Sequence, residues 1–382
     1  MDHALLTREL EAFDPGVPIE RAWTPPSSWY TSPEVFELER RTVFASTWHP
    51  VARREQLAAA GAYVAGRAGE PWVLVRGADG ALRAFANTCR HKGREVVQGC
   101  GTAAELVCGY HAWTYDLEGR LRSAPRMAGI EGFDRHAMSL APLAAEEWGP
   151  WAFLNLDPGA APLAPRLADL ARRVLATDWE RLRFVEATEW TLECNWKVYV
   201  DNYLDGGYHI PHMHPTLDAQ LDMQSYRTEV FEDFSIQSSS AARARDERIA
   251  YDAAERIGGG AHYAWVYPNF MLNRYGPCLD TNYVEPLGPD RCRVLYEFFF
   301  LDAEGVDARR FIAESIEQSA VTQREDIAIC ESVQVGLRSG SYDRGRYAPR
   351  VEIGEHHFHR LLARDLRAGL AARVDDDRPR GG

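Results

Sequence analysis

The chain has 382 residues, 46% of them hydrophobic and 26% charged, with a formal net charge of −13. That length admits two domains, the apolar share can supply a core, and the acidic balance argues against nucleic acid as a partner. Seven cysteines, an odd number over so long a chain, do not read as a disulfide framework, and no apolar run reaches the roughly 18 residues of a membrane span. The opening MDHALLTRELEAFDPG carries acids and no apolar centre, so it does not read as a signal peptide; a cytoplasmic protein with reduced thiols is expected.

Residues 1–43 are punctuated by proline and hold one helical candidate, SPEVFELERRTVF, with Ser32 placed to cap it before Pro33. From about Thr47 to Leu156 the text consists of short apolar runs such as AYVAG, WVLVRG, LRAFAN and WAFLNL. Gly-Ala-Asp-Gly and Asp-Leu-Glu-Gly turns break them, which is the pattern of an all-β domain over 44–156. The proline-rich LDPGAAPLAP reads as a linker. In the remainder, 157–382, helical patterns alternate with strands such as YAWVYPNFML and RCRVLYEFFFL, and the polar tail RVDDDRPRGG is expected to fray.

Two loops of the all-β domain carry chemistry. CRHKGREVV supplies Cys89 and His91, and CGYHAWTYD supplies Cys108 and His111. Two cysteines and two histidines suit a structural zinc, but zinc loops usually pair like with like. Here each loop carries one thiolate and one imidazole. That suits a [2Fe-2S] cluster in which one iron takes both sulfurs and the other both nitrogens, a Rieske centre. Arg90, Lys92 and Arg94 read either as support for the cluster or as a solvated basic loop.

The second informative stretch is ECNWKVYVDNYLDGGYHIPHMHP. Trp196, Tyr199, Val200, Tyr203 and Leu204 share one helical face, and Gly206-Gly207 end the helix. Asp205 then falls where a carboxylate meets the negative end of the helix dipole, which suggests another partner for it. His209 and His214 follow around Pro211; they read as ligands of one metal or as a solvated cluster. Two histidines and one carboxylate leave open positions on an iron. TQREDIAICESVQVGL offers Asp326 and Glu331 beside a modest apolar stripe of Ile327, Cys330 and Val333, and pattern alone promotes neither acid. A C-terminal helix is expected to bury Phe358, Leu361, Leu362, Leu366 and Leu370 while His356, His357 and His359 lie at its surface. Cys194, Cys278, Cys292 and Cys330 read as buried thiols.

Taken in order, CRHKG…CGYHAW, NWKVYVDNYLDGGYHIPHMHP and REDIAICESVQVGLRSG resemble the α subunit of Rieske non-haem iron oxygenases, nearest to the choline monooxygenase-like members. The resemblance runs from about Trp29 to Leu362. It implies an α+β fold: an N-terminal all-β Rieske domain, then a catalytic domain whose antiparallel sheet clasps helices in helix-grip fashion. It also implies that His209, His214 and Asp326 hold a mononuclear Fe(II), with His212 between them not a ligand. Asp205 matches the acid that bridges the two metal sites, although many relatives place that acid three residues before the first histidine and here the gap is four. Homotrimers, O2 as co-substrate and a separate flavin or iron-sulfur reductase or ferredoxin are implied as well; the chain shows no GxGxxG nucleotide fingerprint of its own.

The segment HYAWVYPNFMLNRYGPCLDTNYVEPLG is dense in aromatics. Trp265, Tyr267, Phe270, Tyr275 and Tyr283, with Asn202 from the helix, are the candidate substrate contacts, against the alternative that they are half-buried strand faces. A quaternary ammonium has no proton to donate and is held by aromatic faces. With the resemblance, this gives hydroxylation of choline or N-demethylation of a betaine as the expected activity. Aromatic ring hydroxylation, a Rieske electron carrier and a zinc-stabilised binding module are the alternatives.

Overall fold

The computed structural model describes residues 3–175, 178–243, 246–249, 256–301 and 304–376. The chain divides into two compact units, Phe44–Arg166 and a second made of Met1–Val43 with Leu167–Gly382. The expected fraying of the tail concerns residues of which 377–382 lie outside the described ones.

The Phe44–Arg166 unit holds ten strands: β1 (His49–Arg53), β2 (Ala62–Ala68), β3 (Glu70–Arg76), β4 (Leu82–Ala86), β5 (Cys100–Thr102), β6 (Leu106–Val107), β7 (Thr114–Tyr115), β8 (Leu121–Ser123), β9 (Pro142–Trp148) and β10 (Trp151–Asn155). Seven of them form one sheet in the order β1-β10-β9-β4-β3-β2-β5, and β6-β7-β8 form a small second one. The turn residues act as their chemistry requires. Gly77 donates to the Ala81 carbonyl at 2.9 Å, and Gly80 takes a positive φ of 81° that closes the β3–β4 hairpin. One core cluster of this unit gathers Val73, Phe85, Trp113 and Tyr115 around Cys89 and Cys108, so both sulfurs sit inside hydrophobic packing.

The other unit opens with helices α1 (His3–Glu11), α2 (Ser28–Thr31) and α3 (Pro33–Ser46). Ser32 caps α3, its hydroxyl accepting from the Glu34 and Val35 N–H groups. A short helix α4 (Leu163–Arg166) ends the β unit and α5 (Ala168–Leu170) begins the return. A seven-stranded antiparallel sheet follows, built from β11 (Arg183–Leu192), β12 (Arg227–Val230), β13 (Phe234–Ser239), β14 (Ala261–Val266), β15 (Phe270–Tyr275), β16 (Cys278–Gly288) and β17 (Arg291–Phe300). Its order is β11-β17-β16-β15-β14-β13-β12. Helices α6 (Trp196–Leu204), α7 (Ile210–Met213) and α8 (Pro215–Asp218) lie between β11 and β12 in the chain, and the long α9 (Val306–Leu337) and α10 (Ile353–Asp376) follow the sheet. Helix α6 packs against β16, β17, α9 and α10, which makes it the element that the sheet and the long helices clasp.

Two expectations about the helices need correction. The buried face of α9 is Gln323, Asp326, Cys330, Gln334 and Leu337, at helical spacing, whereas Ile327 is half-buried and Val333 exposed. This face is polar because it meets polar groups of α6 and the sheet: Gln323 Oε1 accepts from the Tyr199 and Tyr296 hydroxyls, and Gln334 Oε1 from the Asn195 N–H. The C-terminal histidines are not a surface set. His359 is fully enclosed, its Nδ1 2.7 Å from the Tyr347 hydroxyl and its Nε2 2.9 Å from that of Tyr30; His356 is buried and His357 half-buried. The predicted apolar face of α10 is buried, but packing of the N-terminal segment against the helix covers a second face as well.

Candidate metal centres and cavity

In the β unit the two loops bring their four side chains together. The His91 and His111 Nδ1 atoms stand 3.1 Å apart, and the His91 ring stacks on Trp113 with centroids 5.0 Å apart. Cys89 and Cys108 are buried while His111 is exposed and His91 partly so, which puts the sulfurs on the inner side and the imidazoles toward solvent. The Tyr115 hydroxyl lies 3.5 Å from Cys89 Sγ and accepts from the Arg90 N–H, tying the first loop down. Burial, with the neighbouring sulfur adding to it, pushes the Cys108 thiol above its ordinary value. Two adjacent buried thiolates therefore need a cationic centre, and the donor set fits a [2Fe-2S] cluster with two sulfur and two nitrogen ligands.

The second constellation starts at the end of α6. Asn195 caps its start, accepting from the Lys197 N–H, and Gly206 and Gly207 leave it with φ of 74° and 76°. A Cβ on Gly206 would stand 2.1 Å from the Val351 carbonyl oxygen, so no other residue fits that turn without a shift. The turn lets Asp205 escape the unfavourable helix end. Its carboxylate accepts from the N–H groups of Gly207, Tyr208 and His209, at 2.9, 3.1 and 3.0 Å, and lies 2.5 Å from His209 Nδ1.

Short helices α7 and α8 then bring His214 back toward His209. Pro211 sits in the first turn of α7, where its missing N–H costs nothing. The two Nε2 atoms are 3.0 Å apart, and Asp326 Oδ1 from α9 is 3.1 Å from His214 Nε2 and 3.8 Å from His209 Nε2. His214 Nδ1 stands 2.7 Å from Glu325 Oε2. With each Nδ1–H donated to a carboxylate, both Nε2 lone pairs point at one place that a carboxylate oxygen also faces. Burial pulls His214 toward its neutral form, but the hydrogen bonds and charges of Asp326 and Glu325 outweigh it and hold the ring above its ordinary value. The pocket favours positive charge, and these three groups could hold a divalent iron with positions left open.

His212 faces solvent. Glu331 accepts from the Glu193 N–H and stays away from the cluster. Glu325 was missed in the sequence because an acid on a helix usually reads as solvated; its position one residue before Asp326 is the signal that could have found it. Asn202 donates to Asp326 Oδ1 at 2.7 Å, so it steadies the third ligand as well as lining the cavity.

That cavity reaches His209, His214 and Asp326 and is walled by Tyr199, Tyr203, Tyr226, Tyr263 and Tyr296, with Asn273, Asn282 and Gln237 between them. Of the aromatics singled out from the sequence, Trp265, Tyr267, Phe270 and Tyr283 do not line it. Strand alternation explains most of this. On β16, Asp280 and Asn282 face inward and Tyr283 outward; on β15, Asn273 and Tyr275 face inward and Phe270 outward. Trp265 shares the strand face of Tyr263 but lies farther along β14, where it meets Phe358 of α10 with centroids 5.5 Å apart. Tyr275 belongs to an adjoining chamber.

A cluster site in the β unit and a two-histidine, one-carboxylate site under a substrate-sized cavity define an oxygenase with two iron centres. Comparison with known proteins gives its family. Residues 47–134 match the Rieske [2Fe-2S] domain and residues 179–368 the ring hydroxylating alpha subunit catalytic domain. The chain is 41% identical to chloroplastic choline monooxygenase of Arabidopsis thaliana, over 95% of this chain and 87% of that one. It is 33% identical to the carnitine monooxygenase oxygenase subunit of Escherichia coli (strain K12), over 90% and 94%. The quaternary ammonium Rieske monooxygenase CntA in complex with L-carnitine superposes with a TM-score of 0.76 at 31% identity, covering 92% of this chain and 96% of that one; another CntA structure is described as giving insight into inter-subunit electron transfer. Naphthalene 1,2-dioxygenase from Rhodococcus sp., at 20% identity and a TM-score of 0.73 over 99% of each chain, shares the fold. This chain belongs to the Rieske non-haem iron oxygenase family. It is an oxidoreductase of the kind that takes electrons from a reductase or ferredoxin and uses O2 on a small substrate. No described helix is long and apolar enough to cross a membrane.

Proposed function

We propose that the chain is the terminal oxygenase for a small quaternary ammonium compound, converting choline to betaine aldehyde or demethylating a betaine. The observation that carries this reading is the cavity of five tyrosines directly above His209, His214 and Asp326. Each well-placed ring face contributes about 0.5–2 kcal/mol to holding a cation that can donate no hydrogen bond. The similarity to choline and carnitine monooxygenases supports it. Ring hydroxylation of a neutral aromatic is the weaker reading, because Asn273, Asn282 and Gln237 would be desolvated against an apolar ligand.

In this reading Cys89, Cys108, His91 and His111 hold the cluster, and His209, His214 and Asp326 hold the mononuclear iron. When bound, the two centres supply electron storage and O2 activation. The protein's own residues do the rest. Asp205 and Glu325 fix the tautomer and orientation of the ligand histidines, Asn202 positions Asp326, and the tyrosine walls keep bulk water from the reacting carbon. Asp205 links a neighbour's cluster to this chain's iron site in a homotrimer, an arrangement supported by the inter-subunit electron transfer described for CntA. A flavin or iron-sulfur reductase, or a ferredoxin, is the electron donor, and the five free cysteines outside the cluster site suit a reducing compartment such as the cytoplasm.

The test is oxygen uptake with a surrogate reductase across choline, glycine betaine, carnitine and neutral aromatics. Uptake coupled to product with a trimethylammonium compound is expected. Stimulation by neutral aromatics alone would overturn the proposal.

A further inference from the structure

Beside the iron-site cavity lies a second chamber that shares the walls Leu217, Tyr263, Asn273, Tyr296 and Thr322 with it. Asp280 lines this inner chamber from β16 and is 3% exposed. Its Oδ1 accepts from Asn273 Nδ2 at 2.6 Å and its Oδ2 from the Tyr275 hydroxyl at 2.5 Å. Asn273 in turn accepts from the hydroxyl of Tyr203, a wall of the iron-site cavity, at 2.7 Å. One amide therefore connects Asp280 to the place where substrate would sit.

A carboxylate among tyrosines is costly to bury. Burial outweighs the Tyr275 and Asn273 hydrogen bonds and the Arg256 charge and holds its carboxyl above the ordinary carboxylate range; a cation bound beside it would pull it back toward the ionised form. Arg256 lines only the inner chamber, its guanidinium 5.4 Å over the Tyr275 ring and its Nη2 donating to the Ser315 carbonyl. Three carboxylates line the two chambers among the described residues. Asp326 faces the iron site and Asp205 is bound to His209, so Asp280 alone is not committed to the metal.

We propose that Asp280 is the residue that makes this oxygenase select a cation over a neutral molecule of the same shape. A quaternary ammonium offers no N–H, so a hydrogen bond cannot read its charge; a carboxylate held at 3% exposure can, through its field. Asn273 and Tyr275 each hold one oxygen of that carboxylate in place at the chamber wall, which Arg256 also lines. The proposal rests on the quaternary ammonium reading above and names what enforces it.

The experiment measures calorimetric binding of choline and of glycine betaine to the holoenzyme. Each is compared with its carbon isostere, in which a quaternary carbon replaces the nitrogen. In wild type the cation should bind about 30-fold or more tightly than its isostere. In Asp280→Asn, and in Asp280→Ser should the first not fold, that ratio should fall about tenfold, toward what the tyrosine faces alone give, while the isostere binds as before. Cluster absorbance confirms the fold of either variant. If wild type discriminates and the variant that folds keeps the ratio, Asp280 does not read the charge, and the substrate proposal stands without it. If wild type binds neither trimethylammonium compound, both proposals fall.

Discussion

Glu325 is the residue whose role can be worked most directly from geometry. Its Oε2 lies 2.7 Å from His214 Nδ1, and its side chain is 29% exposed. The contact does three things for His214: it fixes the Nδ1–H tautomer, sets the ring angle, and makes Nε2 a stronger donor. Loss of such a partner typically costs 10–100-fold in metal affinity, or about 1.4–2.7 kcal/mol. Partial exposure screens the charge, so the lower half of that range applies. Glu325→Gln keeps an acceptor and loses the charge, and should weaken Fe(II) retention by about tenfold; Glu325→Ala loses both and should approach the top of that lower half, about thirtyfold. Titration of iron into apoprotein, with cluster absorbance as a reference that the mutation should not move, gives the numbers. Wild-type iron affinity in both variants would refute the assignment, because the hydrogen bond would then exist without acting on the ligand.

Cys108→Ser should abolish the visible cluster absorbance while the catalytic unit stays folded by circular dichroism; an unchanged spectrum would remove Cys108 from the ligand set. Asp205→Asn should leave the cluster unchanged and, with iron at saturation to offset a weaker hold on His209, lower turnover by about a hundredfold, with single-turnover electron transfer as the step that slows; a wild-type single-turnover rate would end its bridging role. Lys197 and Glu39 form a fully enclosed ion pair at 2.6 Å, with Trp196 Nε1 also donating to Glu39. Lys197→Met should cost about 3–5 kcal/mol in denaturant unfolding by stranding the carboxylate, and adding Glu39→Gln should recover most of it; equal stability of the single and double variants would show that the lone charge is not the cause.

What was legible in the sequence follows the range of the forces involved. The cluster loops, the α6 face, the Gly206-Gly207 stop and the Ser32 cap depend on neighbours within a few residues, and each stands where its spacing placed it. The buried face of α9 was illegible because its polarity answers partners far away in sequence: Gln323 is buried to accept from Tyr199 and Tyr296. A helix read by its apolar stripe alone shows the wrong side when the core it meets is polar. His359 was misread for the same reason, its burial depending on Tyr30, more than three hundred residues away in sequence (|i−j| = 329).

The aromatic segment shows a different limit, and it bears on specificity. Its density in rings was visible, but which rings reach the cavity depends on strand register, and a one-residue shift exchanges the two faces of a sheet. Tyr263 pairs with Asn273 across β14 and β15, and Asn273 pairs with Asp280 across β15 and β16. These three residues form a row of cross-strand neighbours on one face, running from a ring of the iron-site cavity to the carboxylate of the inner chamber. No periodicity within one strand reveals such a row, because its members are joined through the sheet rather than along the chain. Charge selection in this reading is accordingly a property of register: a one-residue slip of β16 would turn Asp280 away from the chamber, and a slip of β15 or β14 would turn Asn273 or Tyr263, while the metal ligands, which come from the ends of α7 and from α9, would stay where they are.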